Sequence, residues 1–336
     1  MSGRITERPF DELGAKGVGG ETAFAAATDR FRADLAALIG VPTRPIAVAV
    51  SGGPDSMALL ALSFATGPTI AATVDHRLRP DSVAETLMVA EWCARNGIAH
   101  TTLLPPDGWV PQSIQADARA LRYALLTNWA QAQGASVLLT AHHADDQAET
   151  FLMRAGRGAG VTGLGGVRSA RREGGVRLAR PLLGWRRAEL RAVAETLGLP
   201  FVDDPSNIDP RFDRARMRAW LADAPIDAAS IAQSAAACAE ADVALDAVAD
   251  LLFKERRRSG GWEMTGLPRE LRRRLVRRAI LHVRATDSCE GRFDSATNVE
   301  GLLDALDAGG QATLAGVLAA ARGQTWQFTP APPRRS

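Results

Sequence analysis

The sequence predicts an α/β fold: a Rossmann-like parallel sheet with helices on both faces, followed by a smaller, mainly helical C-terminal domain. Three observations carry this expectation. Short runs of small and β-branched apolar residues alternate with amphipathic helical stretches between Ile46 and Leu197, the rhythm of a sheet covered on both sides. The first run, Ile46 to Val50, passes into Ser51-Gly52-Gly53-Pro54-Asp55-Ser56 and then into the helix formers Met57 to Leu62, a strand, glycine turn and helix. Beyond Asp223-Ala224-Pro225 the strand signals fade and long helical periodicities replace them.

The elements follow in order. Residues 1–20 are Gly-rich and aperiodic and read as an arm. Glu21 to Leu38 places Phe24, Ala27, Phe31, Leu35 and Leu38 at helical spacing, ended by Gly40-Val41-Pro42. Thr69 to Asp75 is a second strand, and Ser82 to Asn96 a helix with Val83, Leu87, Ala90 and Ala94 on its apolar face. His100 to Leu104 and Val137 to Thr140 are strands flanking a helix from Gln112 to Gln133. Gly156 to Gly175 reads as a long loop, Val176 to Leu183 as extended, and Trp185 to Leu197 as a helix burying Leu190, Val193, Ala194 and Leu197. An Arg-studded helix covers Phe212 to Leu221. A long helix then carries Ile231, Ala235, Cys238, Ala241, Leu245, Val248 and Leu252 on one face, Gly260-Gly261 breaks the pattern, and Leu267 to Val283 is a second helix. The remainder is weakly patterned. The expected domains are an N-terminal arm and helix (1–42), a catalytic domain (43–222), and a helical domain with its tail (226–336).

Ligands of such sheets sit beyond the carboxyl ends of the strands. The Ser51–Ser56 turn, the Asp75-His76 pair and the cluster His142-His143-Ala144-Asp145-Asp146-Gln147-Ala148-Glu149 all fall at such ends. The turn suits an anion: Gly52 and Gly53 admit a close backbone approach, Pro54 fits a first helical turn, and Ser51 and Ser56 add hydroxyl donors. It contains no Lys, and its spacing is neither GxxxxGK[ST] nor GxGxxG. Asp55, a carboxylate beside a phosphate site, points to a metal or a proton transfer. Asp145, Asp146 and Glu149 share one helical face, because Glu149 lies three and four residues beyond the aspartates. That cluster suits a Mg²⁺ ion, an ammonium group, or deprotonation of an attacking amine. Helix-dipole stabilisation by first-turn acids is the plainer account, at about 0.3–1 kcal/mol each. Arg119 and Arg122 lie with Gln115 on another helical face, with Tyr123 beside them.

The turn resembles the PP-loop, SGGxDS, of the N-type ATP pyrophosphatases. With it, VDHRLR (Val74 to Arg79), AHHADDQAET (Ala141 to Thr150), RAGRGAGVTGLGG (Arg154 to Gly166), RPLL (Arg180 to Leu183) and DDPSNIDPRFDRARMR (Asp203 to Arg218) stand in the order and spacing of the tRNA(Ile)-lysidine synthases. The similarity covers about residues 45–220, and the C-terminal helices resemble that family's tRNA-specificity domain. It implies a ligase that uses ATP and Mg²⁺ to adenylate the wobble cytidine of the CAU anticodon of tRNA(Ile). Free L-lysine then displaces AMP to leave lysidine. It implies catalytic roles for Asp55, Asp146, Glu149 and Arg214. Nucleotide contacts fall to Ser51, Gly52, Gly53, Pro54, Asp55, Ser56, Asp75 and His76, with Asp55 on the metal. Substrate contacts fall to Asp145, Asp146, Glu149, Arg119, Arg122, Arg216 and Arg218. One departure is Ala215, where the family usually has Asn.

Composition agrees with a globular, cytoplasmic protein: 336 residues, 46% hydrophobic, 23% charged, and a net charge of only +2. No apolar run reaches the ~18 residues of a membrane span, and the N-terminus lacks a secretory core. Arginine supplies all but Lys16 and Lys254 of the 40 basic residues. Codon bias accounts for that total, whereas the clusters at 168–172, 186–187, 211–218, 256–258 and 272–274 suggest patches facing a polyanion. Cys93, Cys238 and Cys289 form neither a CxxC pair nor a zinc set, which argues against a 2-thiocytidine transferase or an amidotransferase subunit. Intact acids at 55, 145, 146 and 149 argue against a non-catalytic nucleic-acid-binding relative. A homodimer stays open.

Overall fold

The computed structural model describes residues 17–77, 82–109, 114–203, 209, 211, 213–294 and 297–332, with backbone alone at 17, 18 and 114–116. Expectations for the arm up to residue 16, for Leu78 and Arg79, for the Gln115 side chain and for residues 204–208 fall outside them.

The chain forms two compact units, divided between Ala239 and Glu240. In chain order the first holds α1 (Gly17–Ile39), β1 (Ile46–Ala49), α2 (Pro54–Thr66), β2 (Thr69–Val74), α3 (Ser82–Arg95), β3 (Ala99–Leu103), α4 (Ile114–Ala132), β4 (Val137–Leu139), α5 (Ala144–Ala155) and α6 (Val161–Leu164). It continues with β5 (Ala170–Glu173), β6 (Val176–Ala179), α7 (Arg187–Thr196), α8 (Asp213–Asp223) and the start of α9 (Ala228–Glu255). The boundary read from the sequence at 223–225 marks the turn between α8 and α9, and the compact units divide inside α9.

The sheet runs β3-β2-β1-β4-β6-β5. Every pair is parallel except β5 with β6. Alternate residues of the strands feed two cores. Ile46, Val48, Val137 and Leu139 join Phe24 and Phe31 of α1, Leu59 and Leu60 of α2, and Leu190 of α7. Ala47 and Leu138 join Tyr123, Leu126 and Trp129 of α4. The period of two along each strand therefore places helices on both faces. Because β1 pairs with β2 on one side and β4 on the other, the chain order reverses between β1 and β4. Their carboxyl ends open the crevice in which such sheets bind ligands.

Four local expectations are corrected. The loop expected at 156–175 contains α6 and strand β5, which returns through Gly174-Gly175 (φ +52° and +83°) into β6. Two adjacent positive φ angles suit a two-residue hairpin turn that only glycine adopts freely. The extended stretch expected to reach Leu183 stops at Ala179, since Pro181 has no N–H for a ladder. The apolar face of α3 is Thr86, Val89, Trp92 and Cys93, whereas Val83 and Leu87 are exposed. Both faces of that helix carry apolar residues, so periodicity alone did not separate them. In α9, Ala241 and Val248 face outward while Asp242 and Ala249 are buried, because Asp242 turns inward to a charged partner.

That partner lies in the second unit, which adds β7 (Arg257–Arg258), β8 (Gly261–Glu263), α10 (Arg269–Thr286), α11 (Glu300–Asp307), β9 (Gln311–Leu314), β10 (Val317–Arg322) and β11 (Thr325–Pro330). The weakly patterned remainder thus forms an antiparallel sheet, β7-β8-β11-β10-β9, beside the expected helices. Strands such as Val317-Leu-Ala-Ala-Ala-Arg322 give little alternation to read. Leu275, Ala279 and Val283 of α10 pack with Leu303 of α11 and with Val317, Trp326 and Phe328 of the sheet. Arg274 is buried and binds Asp242 at 2.6 Å, Asp246 at 2.7 Å and Glu270 at 2.8 Å. The 272–274 cluster is therefore largely a structural network: Arg272 pairs with Asp307, and Arg273 with Glu270 and Glu300.

Candidate active site at the sheet's switch point

The turn after β1 is locked by its own hydroxyls. Ser56 Oγ donates to the Gly53 carbonyl at 2.9 Å and accepts from the Ser51 N–H at 3.1 Å and the Ser51 hydroxyl at 3.2 Å. Gly52 sits at φ +83°, where any side chain would be strained by the backbone itself. Its carbonyl accepts from the Val202 N–H at 3.0 Å, tying the turn to the segment after α7. Gly53 caps α2 and Pro54 opens it, so the positive end of the helix dipole faces the crevice.

Asp55, in the first turn of α2, meets the helix that follows β4. His143, the N-cap of α5, is 2% exposed and touches three carboxylates. These are Asp55 at 3.4 Å, Asp145 at 3.5 Å and Asp146 at 3.6 Å. Burial alone would lower its pKa, but hydrogen bonds to Asp145 and Asp55 and the charge of Asp146 raise it to about 10. His143 is thus an imidazolium at neutral pH. In that state both ring nitrogens donate, so the Asp146 N–H, 3.4 Å from Nδ1, is not capped by the ring. The Asp146 carboxylate still accepts from the His143 N–H at 3.2 Å.

The three acids divide by their other partners. Both oxygens of Asp145 are occupied: Arg186 donates at 3.2 and 3.4 Å and the Arg187 N–H at 2.8 Å. Burial raises its pKa, but these bonds and His143 hold the carboxyl well below the usual range. Asp145 therefore anchors α7 instead of presenting a free ligand. Asp146 is also held ionised: burial opposes it, while the charges of His143 and Arg214 and the His143 N–H favour the carboxylate. Asp55 keeps one oxygen, Oδ1, buried without a hydrogen-bond partner. That oxygen is an unmet acceptor in the crevice, suited to a cation.

Glu149, 1% exposed, faces α8: Arg218 Nε donates at 2.7 Å and Arg214 Nε lies at 3.8 Å. Arg214 and Arg218 share a helical face by their i, i+4 spacing, and Arg214 also reaches Thr150 at 3.3 Å. Arg216, between them, turns away to Asp213, so the structure does not bring it to the acids. On the other flank Arg119 and Tyr123 of α4 stack at 5.0 Å, and the Arg122 guanidinium donates to His76 Nε2 at 3.4 Å. Burial and Arg122 lower the His76 pKa. Asp75 is buried and accepts from the Arg77 N–H at 2.8 Å, fixing the turn after β2. His142 is pushed down to about 3 by burial and by Arg180, Arg119 and Arg214, against Asp146, so it is neutral beside the imidazolium. The crevice thus has an acidic lobe (Asp55, Asp146) next to a cationic one (Arg119, Arg122, Arg180, Arg214).

Sequence reasoning missed three contributors. His143 was noted, but not as the hub of three carboxylates, because Asp55 is remote in sequence. Arg180, buried and 2.6 Å from the Arg168 carbonyl, was quoted only within RPLL. Arg187 entered only as part of an arginine pair. The glycine-rich motif proves structural in part: its Arg154 donates to the Gly163 and Gly166 carbonyls at 2.7 and 2.9 Å.

A strand, an SGGPDS turn and an anion-facing helix at the switch point of such a sheet define a PP-loop ATP pyrophosphatase domain, and residues 23–224 match the family model described as PP-loop domain. A solved U34-tRNA thiolase from Methanococcus maripaludis shares the fold, with a TM-score of 0.55 and 18% identity over 66% of this chain and 80% of that one. Among curated proteins, tRNA(Ile)-lysidine synthase of Novosphingobium aromaticivorans is 45% identical, covering 95% of this chain and 98% of its own. That of Zymomonas mobilis is 39% identical, covering 89% and 93%. The chain belongs to the tRNA(Ile)-lysidine synthase family. Among the described residues no helix is long and apolar enough to cross a membrane.

Proposed function

We propose that this protein joins L-lysine to the wobble cytidine of the CAU anticodon of tRNA(Ile), consuming ATP and releasing AMP and pyrophosphate. The observation that carries the reading is the pairing of an acidic and a cationic lobe across one PP-loop crevice. In the first step the cytidine 2-oxygen attacks the α-phosphorus and the bond to the β-phosphate breaks with its electron pair. In the second the lysine ε-amine adds to C2, the C2–O bond breaks, and AMP leaves.

Each side chain has work suited to its surroundings. The turn from Ser51 to Ser56 and the α2 dipole receive phosphates. Arg214 and Arg218, aligned by Glu149, face the phosphoryl group of the adenylate; Arg119 and Arg122 hold the anticodon backbone. Asp146 binds the lysine ammonium and accepts a proton from the attacking amine. Among the described residues no cluster of three or more His, Cys, Asp or Glu forms a metal cage. Asp55, whose Oδ1 is an unmet acceptor, is the carboxylate that would hold a Mg²⁺ ion brought with the nucleotide. Bound there, it would neutralise charge on the leaving pyrophosphate.

The test is incubation of the protein with tRNA(Ile), ATP and labelled lysine. Label in the tRNA, dependent on ATP and on a cytidine at the wobble position, is the expected result. Incorporation of sulfur instead of lysine would sink the proposal.

A further inference from the structure

Splitting ATP between its α- and β-phosphates leaves a multiply charged pyrophosphate, yet SGGPDS contributes no lysine or arginine. The helix dipole supplies only about half a charge. Among the described residues, one guanidinium is ion-paired with the turn's carboxylate: Arg187 Nε lies 3.8 Å from Asp55 Oδ2. That separation is too long for a hydrogen bond, so the planar donor fork is not committed to the carboxylate. The Arg187 side chain is 34% exposed, enough to meet a ligand.

Its backbone, in contrast, is fixed. Arg187 is the first residue of α7, and its N–H donates to Asp145 Oδ2 at 2.8 Å. Arg186 grips the same carboxylate, and Leu190 and Ala194 of α7 share a core with Leu59, Leu60 and Leu62 of α2. Asp203 feels the charge of Arg187, but both of its oxygens are held by the terminal nitrogens of Arg191, at 2.9 and 2.8 Å.

We infer that Arg187 is the cation that receives the β- and γ-phosphates of ATP, and that Asp145 is the positioning residue that aims it. The inference rests on the reading of this crevice as the ATP site. A phosphate at the turn exchanges a loose ion pair for bidentate, charge-assisted hydrogen bonds. As the α-phosphorus separates from its bridging oxygen, the electron pair goes to pyrophosphate, and Arg187 meets the charge that develops there. The same assignment explains an acid in the α5 cluster whose two oxygens are both taken by protein groups.

Calorimetric titration of the full chain with ATP, with inorganic pyrophosphate and with AMP tests this. Arg187→Gln should weaken ATP and pyrophosphate by about tenfold or more and leave AMP, which lacks the outer phosphates, unchanged. Arg187→Lys should recover part of the loss, since it keeps the charge without the fork. Asp145→Asn should weaken ATP relative to AMP in the same sense. Equal loss of ATP and AMP in Arg187→Gln, or no loss of either, would overturn the inference. Wild-type protein that transfers no lysine while Arg187→Gln still separates ATP from AMP would fell the lysidine reading and leave this one standing.

Discussion

His143 Nε2 lies 3.4 Å from Asp55 Oδ2, so a buried imidazolium joins the first turn of α2 to the N-terminus of α5. The contact couples the two loops of the switch point and makes their stability depend on pH. His143 is raised from 6.5 to about 10 by its carboxylate partners against its burial. A raised pKa contributes stability that is complete below the unfolded value and is lost as pH rises through the folded one. Asp145, depressed in the fold, contributes above its ordinary value of 3.8 and loses that contribution in acid. The melting temperature of wild type minus that of His143→Asn should therefore be largest near pH 5–6 and shrink steadily toward pH 10. A gap that stays constant across that range would show that His143 packs there without its charge.

Asp55→Ala removes the carboxylate with the unmet oxygen. His143 keeps Asp145 and Asp146, so the fold should survive, with an unchanged circular dichroism spectrum. Pyrophosphate release and lysine transfer should fall by about 100-fold or more, the scale of losing one electrostatic contributor to a transition state. Near-normal activity would remove Asp55 from the chemistry.

Asp146→Asn keeps shape and removes the charge that pairs with an ammonium group. The KM for lysine should rise by about tenfold or more while that for ATP changes little, on the scale of one charge-assisted hydrogen bond. A change confined to ATP would move Asp146 to the nucleotide side.

What the sequence made legible follows from how local each signal is. The turn at Ser51–Ser56 is one unbroken stretch, the acids at 145, 146 and 149 fall within five residues of each other, and strand ends gather ligand sites in any such sheet. Pairings across the fold were not legible. Nothing in HHADDQAE says that Asp145 is consumed by α7 while Asp146 is not, because Arg186 and Arg187 lie some forty residues on. Arg216 was grouped with Arg214 and Arg218 by proximity in sequence, whereas helical geometry separates it. In the C-terminal unit the arginine run at 272–274 read as a surface for a polyanion. The acids that neutralise it are scattered over α9, α10 and α11, and only folding reveals them.

That network carries its own prediction. Arg274 is 6% exposed and satisfies Asp242, itself 4% exposed. Arg274→Met would take from buried Asp242 the guanidinium it binds, and removing one side of such a pair destabilises by about 3–5 kcal/mol. Denaturant unfolding of the C-terminal unit should show that loss. Arg274→Met with Asp242→Leu should restore much of it, since a packed apolar pair avoids desolvating charges. Failure of the double variant to recover would mean that the network does more than balance charge.

The remaining basic residues of that unit separate by what already neutralises them. Arg256 and Arg258 share Glu263, at 3.3 and 2.7 Å. Arg257, between them on β7, has an aromatic neighbour instead: its guanidinium lies 5.6 Å from the Trp262 ring, and His282 is 3.4 Å away. A cation with no carboxylate partner among the described residues is the one that gains most from a phosphate. It also releases a counterion from the nucleic acid when it binds there. Arg257→Gln should weaken tRNA binding across sequences and reduce the slope of log affinity against log salt by about 1. Arg272→Gln, which loses a bond to Asp307 instead, should leave the slope as it was. ATP and lysine binding should be unaffected in both variants. Filter binding of tRNA over a salt series decides the matter, and equal slopes in wild type and Arg257→Gln would remove β7 from the tRNA-binding surface.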